Sequence, residues 1–484
     1  MGARTGAEYL AALDDRAIRV EIEGQVYTGS NVSSIPQFRN IVRTYAGLFD
    51  LQHEPGLRDV MTYESPTSGE RVATSFLQPE SVDDVARRGA AMRVWARHAL
   101  GQLGRTGDYC NAAVMAMAGA ADWFGQGERG FADNVRNYYE HVRENDLLLT
   151  HTLVLPQANR SVGPSQQRNQ VLAARIMEQN DNGIVVRGAR ILATIGPFAD
   201  EILVMPSTVV KGTADDAPYS FAFAIPCDTP GLRFLCRESF DLGRSTFDHP
   251  LASRFEEIDA IVVFDDVQVP WERCFVVGEP EICNGIYTET TAAVHMTHQV
   301  ATRVTAKTEY MLGLVSLLTE AIGIEQFQHV GEKTAEVIVA LETCRALLAS
   351  AESGASANRF GLVTPAWPPL NACRNWYPRT YPRLAEISYG HWEGHLWSEL
   401  PSIDPEGFAA RQANFWGWQP QGGESYAMLS DRIAGWLESV DQTAVVVAHG
   451  GVMRVLRGLV EGLAPEAIQA LPVPQDKVLI LNGD

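Results

Sequence analysis

The sequence predicts an α+β protein in which a β-rich segment sits between two helical ones, with a short α/β segment after them. Three observations predict it. Apolar residues recur at helical spacing through the first 140 residues and again over 288–352. Between them, 150–270 breaks into short β-branched runs separated by Pro, Gly and Asp turns. Near the end, Thr443-Ala-Val-Val-Val-Ala448 reads as a buried strand that leads through His449-Gly450-Gly451 into a helix over 452–459. The helical–β–helical order suggests a β-barrel or sandwich between helical layers. The strand–loop–helix unit belongs to a parallel sheet, where reactive groups gather at the strand's carboxyl end.

Taken in order, residues 82–103 are rich in Ala, Arg and Met at helical spacing, and 112–124 are small and apolar throughout, as in a buried helix. The β texture is carried by Gly183-Ile-Val-Val-Arg187, Glu201-Ile-Leu-Val-Met205, Phe221-Ala-Phe-Ala-Ile225 and Ile258-Asp-Ala-Ile-Val-Val-Phe264. Long helices with few breakers return over 288–352, and 354–382, with Thr364-Pro-Ala-Trp-Pro-Pro369, reads as a connector. Composition then shifts, since five of the ten tryptophans fall in 385–484. The predicted division is a helical domain 1–145, a β domain 146–275, a helical domain with connector 276–384, and a tail 385–484.

At 484 residues and 46% hydrophobic content the chain can bury several cores. Lys and Arg number 39 against 59 Asp and Glu, a formal charge of −20, which argues against a nucleic-acid or anionic-membrane partner. No run reaches transmembrane length and the start has no apolar signal-like region. The 7 cysteines are scattered without a Cys-x-x-Cys pair, so neither a disulfide framework nor a zinc site is expected, and the chain reads as cytoplasmic.

Chemistry concentrates in three places. Arg105-Thr-Gly-Asp-Tyr109 spaces an arginine and a tyrosine so that both point to one side of a helical turn. Thr150-His151-Thr152-Leu-Val-Leu-Pro156-Gln157-Ala-Asn159-Arg160 is rich in donors where the chain enters the β region. Leu192-Ala-Thr194-Ile-Gly196-Pro197 is followed by Pro206-Ser207-Thr208. Each alone is equally readable as packing.

Together they carry a resemblance. Thr5-Gly6-Ala7-Glu8-Tyr9-Leu10, Leu51-Gln52-His53, the Arg105–Tyr109 and Thr150–Arg160 blocks, Cys236-Arg237-Glu238-Ser239, His249-Pro250-Leu251-Ala252-Ser253 and Phe264-Asp265-Asp266-Val267 stand in order over 1–384. Together with Val269-Pro270-Trp271 they resemble the large component of 4-hydroxyphenylacetate 3-monooxygenases, the reduced-flavin phenol hydroxylases. The resemblance implies an acyl-CoA-dehydrogenase-like fold and a homo-oligomer, a tetramer or dimer. It implies FAD, used as FADH2 delivered by a separate NAD(P)H:flavin reductase. Oxygen added to that flavin gives a hydroperoxide that hydroxylates a phenol ortho to its hydroxyl. Arg105, Tyr109 and His151 match the catalytic positions, Arg105 and Tyr109 also at the substrate. His151, Gln157, Asn159, Arg160, Ser165, Gln166 and Thr194 match the flavin-binding ones. Ser207 and Thr208 match those that hold the substrate's acidic tail. The departures are Thr106-Gly107, where relatives often have Ser-Pro, and Leu155, which leave tyrosine-like, chlorinated and siderophore-precursor phenols open as substrates. An iron–sulfur dehydratase relative would need ligand cysteines near His295 and His298, and none is there, so no metal is expected.

The tail resembles the C-terminal part of histidine phosphatases of the phosphoglycerate-mutase type through Leu384-Ala-Glu386, Gly390-His-Trp392-Glu393-Gly394, Gly423-Glu424-Ser425 and His449-Gly450-Gly451. Glu386 matches that family's general acid and His449 its second histidine. The nucleophile is missing, because Arg-His-Gly occurs nowhere among the 11 histidines. The hydroxylase resemblance, still present at Arg374-Asn375-Trp376-Tyr377, stops at Leu384, about a hundred residues (one small domain) short. Both resemblances read through Pro382-Arg383-Leu384, as a fusion joint would. The expected function is therefore a flavin-dependent phenol monooxygenase, the alternatives being an impaired chimera and a phosphatase.

Overall fold

The computed structural model describes residues 2–156, 159, 161–206, 214–241, 243, 245–247, 249–321, 323–324, 326–385, 400–419, 425–437 and 450–471. The chain divides into two compact units, Met1–Tyr377 and Pro378–Asp484.

The first unit opens with α1 (Gly6–Asp15), started by a Thr5–Glu8 capping box that satisfies two otherwise orphaned amides. The strands β1 (Ile18–Ile22) and β2 (Gln25–Gly29) follow, then α2 (Arg39–Asp50), α3 (Arg58–Met61) and the hairpin β3 (Thr62–Glu64) with β4 (Arg71–Ala73). Next come α4 (Val82–His98), capped by Ser81 and Asp84, then α5 (Gly107–Gly119) and α6 (Ala132–Glu144). Helix α5 is buried on nearly every side, in keeping with its run of small apolar residues.

The β region supplies β5 (Leu149–Val154), β6 (Arg175–Asn180), β7 (Gly183–Thr194), β8 (Glu201–Val204), β9 (Phe221–Pro226) and β10 (Leu232–Cys236). After the short α7 (Ala252–Phe255) come β11 (Asp259–Pro270) and β12 (Cys274–Val277). They form one ten-stranded sheet, ordered β12-β9-β8-β5-β7-β11-β10-β1-β2 with β6 on β7. The ladder has two ends, β12 and β2, so the expected β-barrel is an open one among the described strands. The largely helical reading of the first 140 residues needs correction at β1 and β2. Strand β1 alternates buried and exposed residues and pairs in parallel with β10, Val20 opposite Phe234, which covers what would be an open sheet edge.

Helices return as α8 (Pro280–Glu289), α9 (Ala292–Ala321) and α10 (Gln328–Ser353), followed by the short hairpin β13 (Ser356–Ala357) and β14 (Val363–Thr364). The stretch read as a connector instead holds α11 (Trp367–Ala385). Pro368 and Pro369 fall in its first turn, where no amide is needed for the helix, although Pro378 and Pro382 lie inside it.

In the second unit, α12 (Leu400–Ile403), α13 (Pro405–Ala413), α14 (Tyr426–Leu437), α15 (Gly450–Val460) and α16 (Pro465–Ala470) are described. Leu429 and Ile433 of α14 pack against Val455 and Leu456 of α15. The helix expected over 452–459 lies within α15. The strand expected over 443–448, and with it Glu386 and His449, lies outside the described residues. No described helix is long and apolar enough to cross a membrane.

Candidate active site

Three of the sequence-selected residues converge where the helical and β parts of the first unit meet. Arg105 precedes α5, and Tyr109 occupies the first turn, its amide bonded to the Thr106 carbonyl at 3.0 Å. The one-sided spacing lays the Arg105 guanidinium over the Tyr109 ring, 4.2 Å from its centroid. His151 comes from β5, held between β7 and β8, and meets the same ring edge-on at 5.4 Å and 88°.

His151 is only 6% exposed, and neither of its ring nitrogens meets a partner on another residue. Burial, reinforced by the Arg105 charge, pushes its pKa down to about 4, so the ring is neutral at neutral pH. A neutral imidazole carries one donor and one acceptor, and leaving both buried and unused is costly unless a ligand takes them up. The Arg105 Nε is buried without a partner as well. Burial raises the Tyr109 phenol, which stays protonated.

Arg105 also lines a cavity of about 340 Å³, with Thr194, Arg237, Phe255, Glu256, Glu257 and Asp259. That volume suits a ring-sized ligand. Another cavity, about 10 Å³ beside Tyr45, Trp95 and Asn111, has room for about one water. Thr194 ends β7 between two non-glycine residues in the left-handed region, Leu192 (φ 64°) and Ile195 (φ 61°). The β7–β11 register slips between the Ala260 and Val262 pairings, beside Leu192, and strain of this kind collects at functional sites. The Thr194 hydroxyl donates to Asp259 Oδ1 at 2.6 Å, and its carbonyl accepts from the Thr150 hydroxyl at 2.5 Å.

The described ones among the remaining expected residues bond to other partners. Asn159 accepts from the Ser161 amide and hydroxyl, Gln166 accepts from the Gly163 amide, and the Ser165 hydroxyl donates to Asp216. Gln157, Arg160, Ser207 and Thr208 lie outside the described residues. His295 and His298 are buried on α9, the first 2.9 Å from Arg88 Nη1 and 3.3 Å from the Thr364 hydroxyl, the second 3.0 Å from Glu352. Among the described residues no group of His, Cys, Asp and Glu is arranged to hold a metal.

Sequence reasoning passed over Arg237, Glu257 and Asp259. A signal for Glu257 and Asp259 exists in Phe255-Glu256-Glu257-Ile258-Asp259, where acids crowd the start of a strand whose alternate residues are buried, whereas Arg237 was quoted only as part of a resembling block.

The chain is similar to known proteins over most of its length. A family model described as 4-hydroxyphenylacetate 3-hydroxylase N terminal matches residues 5–276, and its C-terminal counterpart matches 283–390. A model of the histidine phosphatase superfamily (branch 1) matches 369–484, overlapping the former around the Pro382-Arg383-Leu384 joint. The 4-hydroxyphenylacetate 3-monooxygenase oxygenase component of Geobacillus sp. (strain PA-9) is 50% identical over 387 residues, 80% of this chain and 78% of that protein. That of Thermus thermophilus is 49% identical, covering 80% of this chain and 78% of its own. A crystal structure of such an oxygenase component, complexed with FAD and 4-hydroxyphenylacetate, aligns with a TM-score of 0.76 and 44% identity over 96% of this chain and 94% of that one.

Proposed function

This chain belongs to the 4-hydroxyphenylacetate 3-hydroxylase family, and from that premise we propose that it is the oxygenase component of a two-component phenol monooxygenase. It takes FADH2 from a separate NAD(P)H:flavin reductase and hydroxylates a 4-hydroxyphenylacetate-like phenol ortho to its hydroxyl. The sum is phenol, O2 and FADH2 giving catechol, FAD and water. When bound, the reduced flavin supplies the two electrons that activate O2. The residues present fit a polar ring system, since both ring nitrogens of His151 and the Arg105 Nε are buried without partners.

The observation that carries the reading is the convergence of Arg105, Tyr109 and a neutral His151 with open hydrogen-bonding positions. Attack by the ring is easier when the phenol has phenolate character, so its oxygen needs a cation and a strong donor. A neutral His151 can donate a hydrogen bond to that oxygen, and the Arg105 guanidinium favours its ionised form and balances the charge. Tyr109 holds the guanidinium over its ring face. Thr194, with Gln157, Asn159, Arg160, Ser165 and Gln166 along the β5–β6 connection, is assigned to the flavin, and Ser207 and Thr208 to the substrate's carboxylate.

Self-association, as a tetramer or dimer, fits the apolar side chains of Leu314, Leu317, Leu318, Ile338 and Val339, which α9 and α10 leave exposed. The cytoplasm suits the cysteines, all of which are free thiols. The tail is assigned no phosphoryl transfer. The test is turnover: with FADH2, O2 and 4-hydroxyphenylacetate the protein yields the catechol, and Arg105→Ala or His151→Ala lowers that yield by about a hundredfold or more. Hydrogen peroxide as the sole product of the unmodified chain would overturn the assignment.

A further inference from the structure

The Arg105 guanidinium belongs to both the aromatic cluster and the cavity, yet what fixes its backbone comes from elsewhere in the chain. Arg105 lies in the loop between α4 and α5, with no helix or strand to hold it. Its amide donates to Glu257 Oε1 at 2.6 Å, and the Gly104 amide donates to Glu257 Oε2 at 2.7 Å. Its carbonyl oxygen lies 3.1 Å from the Tyr45 hydroxyl, which is also 3.3 Å from Glu257 Oε1. Both polar groups of the Arg105 backbone are therefore gripped by side chains of α2 and of the turn before β11.

The grip is itself braced. Tyr45 is 1% exposed, with its ring tilted against Phe198 at 5.7 Å, and Arg237 donates to the Glu257 carbonyl at 2.7 Å. A Cβ on Gly104 would come within 3.3 Å of Glu257 Oε2, so the loop approaches the carboxylate closely. Burial raises the Glu257 carboxyl, and the two amides with Arg105 and Arg303 draw it back toward the charged form. The guanidinium has little else to aim it: one bond from Nη1 to the Gly104 carbonyl at 3.1 Å and the stack on Tyr109.

We propose that Tyr45 and Glu257 form a clamp that positions Arg105, and that the clamp sets how the reaction divides between hydroxylated phenol and hydrogen peroxide. Both outcomes consume one FADH2 and one O2. The coupled route places one oxygen atom in a ring C–H bond and the other in water, whereas the uncoupled route returns both as H2O2. Reduction of O2 does not need the phenol's oxygen to be aligned, but transfer does. Tyr45 and Glu257 are positioning residues in this scheme, and the scheme rests on the role of Arg105 proposed above.

The test compares Glu257→Gln and Tyr45→Phe with Arg105→Ala and with both double variants, reading catechol and peroxide per FADH2, KM for the phenol, FAD affinity and melting temperature. Glutamine can accept only one of the two amides, so Glu257→Gln raises KM about tenfold, as expected from one lost charge-assisted hydrogen bond, and shifts product toward peroxide. Tyr45→Phe does the same more weakly, and it decides the matter if Glu257→Gln fails to fold. In the Arg105→Ala background neither substitution adds a further loss. Unchanged KM and product ratio in the single variants, losses that add to those of Arg105→Ala, or losses explained by weaker FAD binding or melting would overturn the clamp. Wild-type behaviour of Arg105→Ala alone would overturn the site reading and the clamp with it.

Discussion

His151 holds its place in the site by remaining uncharged. A charged imidazole beside the Arg105 guanidinium would repel it and could no longer accept a hydrogen bond from the phenol. The surroundings that depress its pKa to about 4 therefore serve the chemistry, and they cost stability in acid. In the unfolded chain the ring returns to about 6.5. Between those values the unfolded chain binds a proton that the native one refuses, so stability falls as pH drops from about 6.5 to 4, by on the order of 3 kcal/mol. His295 and His298 are depressed by burial too, but they persist in a His151→Gln variant, so the difference between the two proteins isolates His151. The urea midpoint of the unmodified protein should fall more steeply between pH 7 and 5 than that of His151→Gln. Parallel curves would show that the ring is not held neutral. Arg105, Tyr109 and His151 were singled out only because their blocks stand in order within a longer family resemblance, each block alone reading as packing. Glu257 was not, because its hold on Arg105 spans 152 positions and leaves no local pattern.

Strand β7 explains how elements aim these residues and why part of the fold escaped the sequence. It is 12 residues long and pairs with β5, β6 and β11. Only its first five residues read as a strand, because Gly188 and the irregularity at Leu192 interrupt the alternation that marks one. Both interruptions are structural requirements. Gly188 has φ +119°, and a Cβ there would lie 2.5 Å from the Ala173 carbonyl oxygen, where the returning chain bridges Ala173 to Ala189. Gly188→Ala should cost more than about 2 kcal/mol, combining the backbone conformation with the clash. A denaturation midpoint matching the unmodified protein would contradict that. The hairpin of β1 and β2 was missed although Ile18-Arg-Val-Glu-Ile22 alternates as a strand should, because it is short and lies among helices, and α11 was missed because its four prolines read as breaks although two of them sit in its tolerant first turn.

At the scale of the whole molecule, two chemistries share one chain, and the family models overlap over residues shared by both, 369–390. The cluster proposed for the hydroxylase side lies within the first unit, since Arg105, Tyr109, His151, Thr194 and Glu257 all precede Tyr377. The phosphatase-like side is differently placed. Phosphoryl transfer by that family's chemistry needs a histidine nucleophile carried as Arg-His-Gly, with a second histidine and an acid to assist it. Glu386 and His449 match the assisting positions by resemblance, but the sequence contains no Arg-His-Gly, and Arg97-His98-Ala99, the nearest in composition, lies at the end of α4 in the first unit. Partial desolvation and the Arg254 charge lower the His98 pKa, and its exposed ring stands 3.9 Å from where a Cβ on Gly47 would be. An assisting histidine and acid without a nucleophile leave no covalent phosphohistidine to form or hydrolyse. The full chain should therefore release no p-nitrophenol from p-nitrophenyl phosphate beyond the rate given by His449→Ala. Release that disappears in His449→Ala would mean that another group supplies the nucleophile and that the tail turns over on its own.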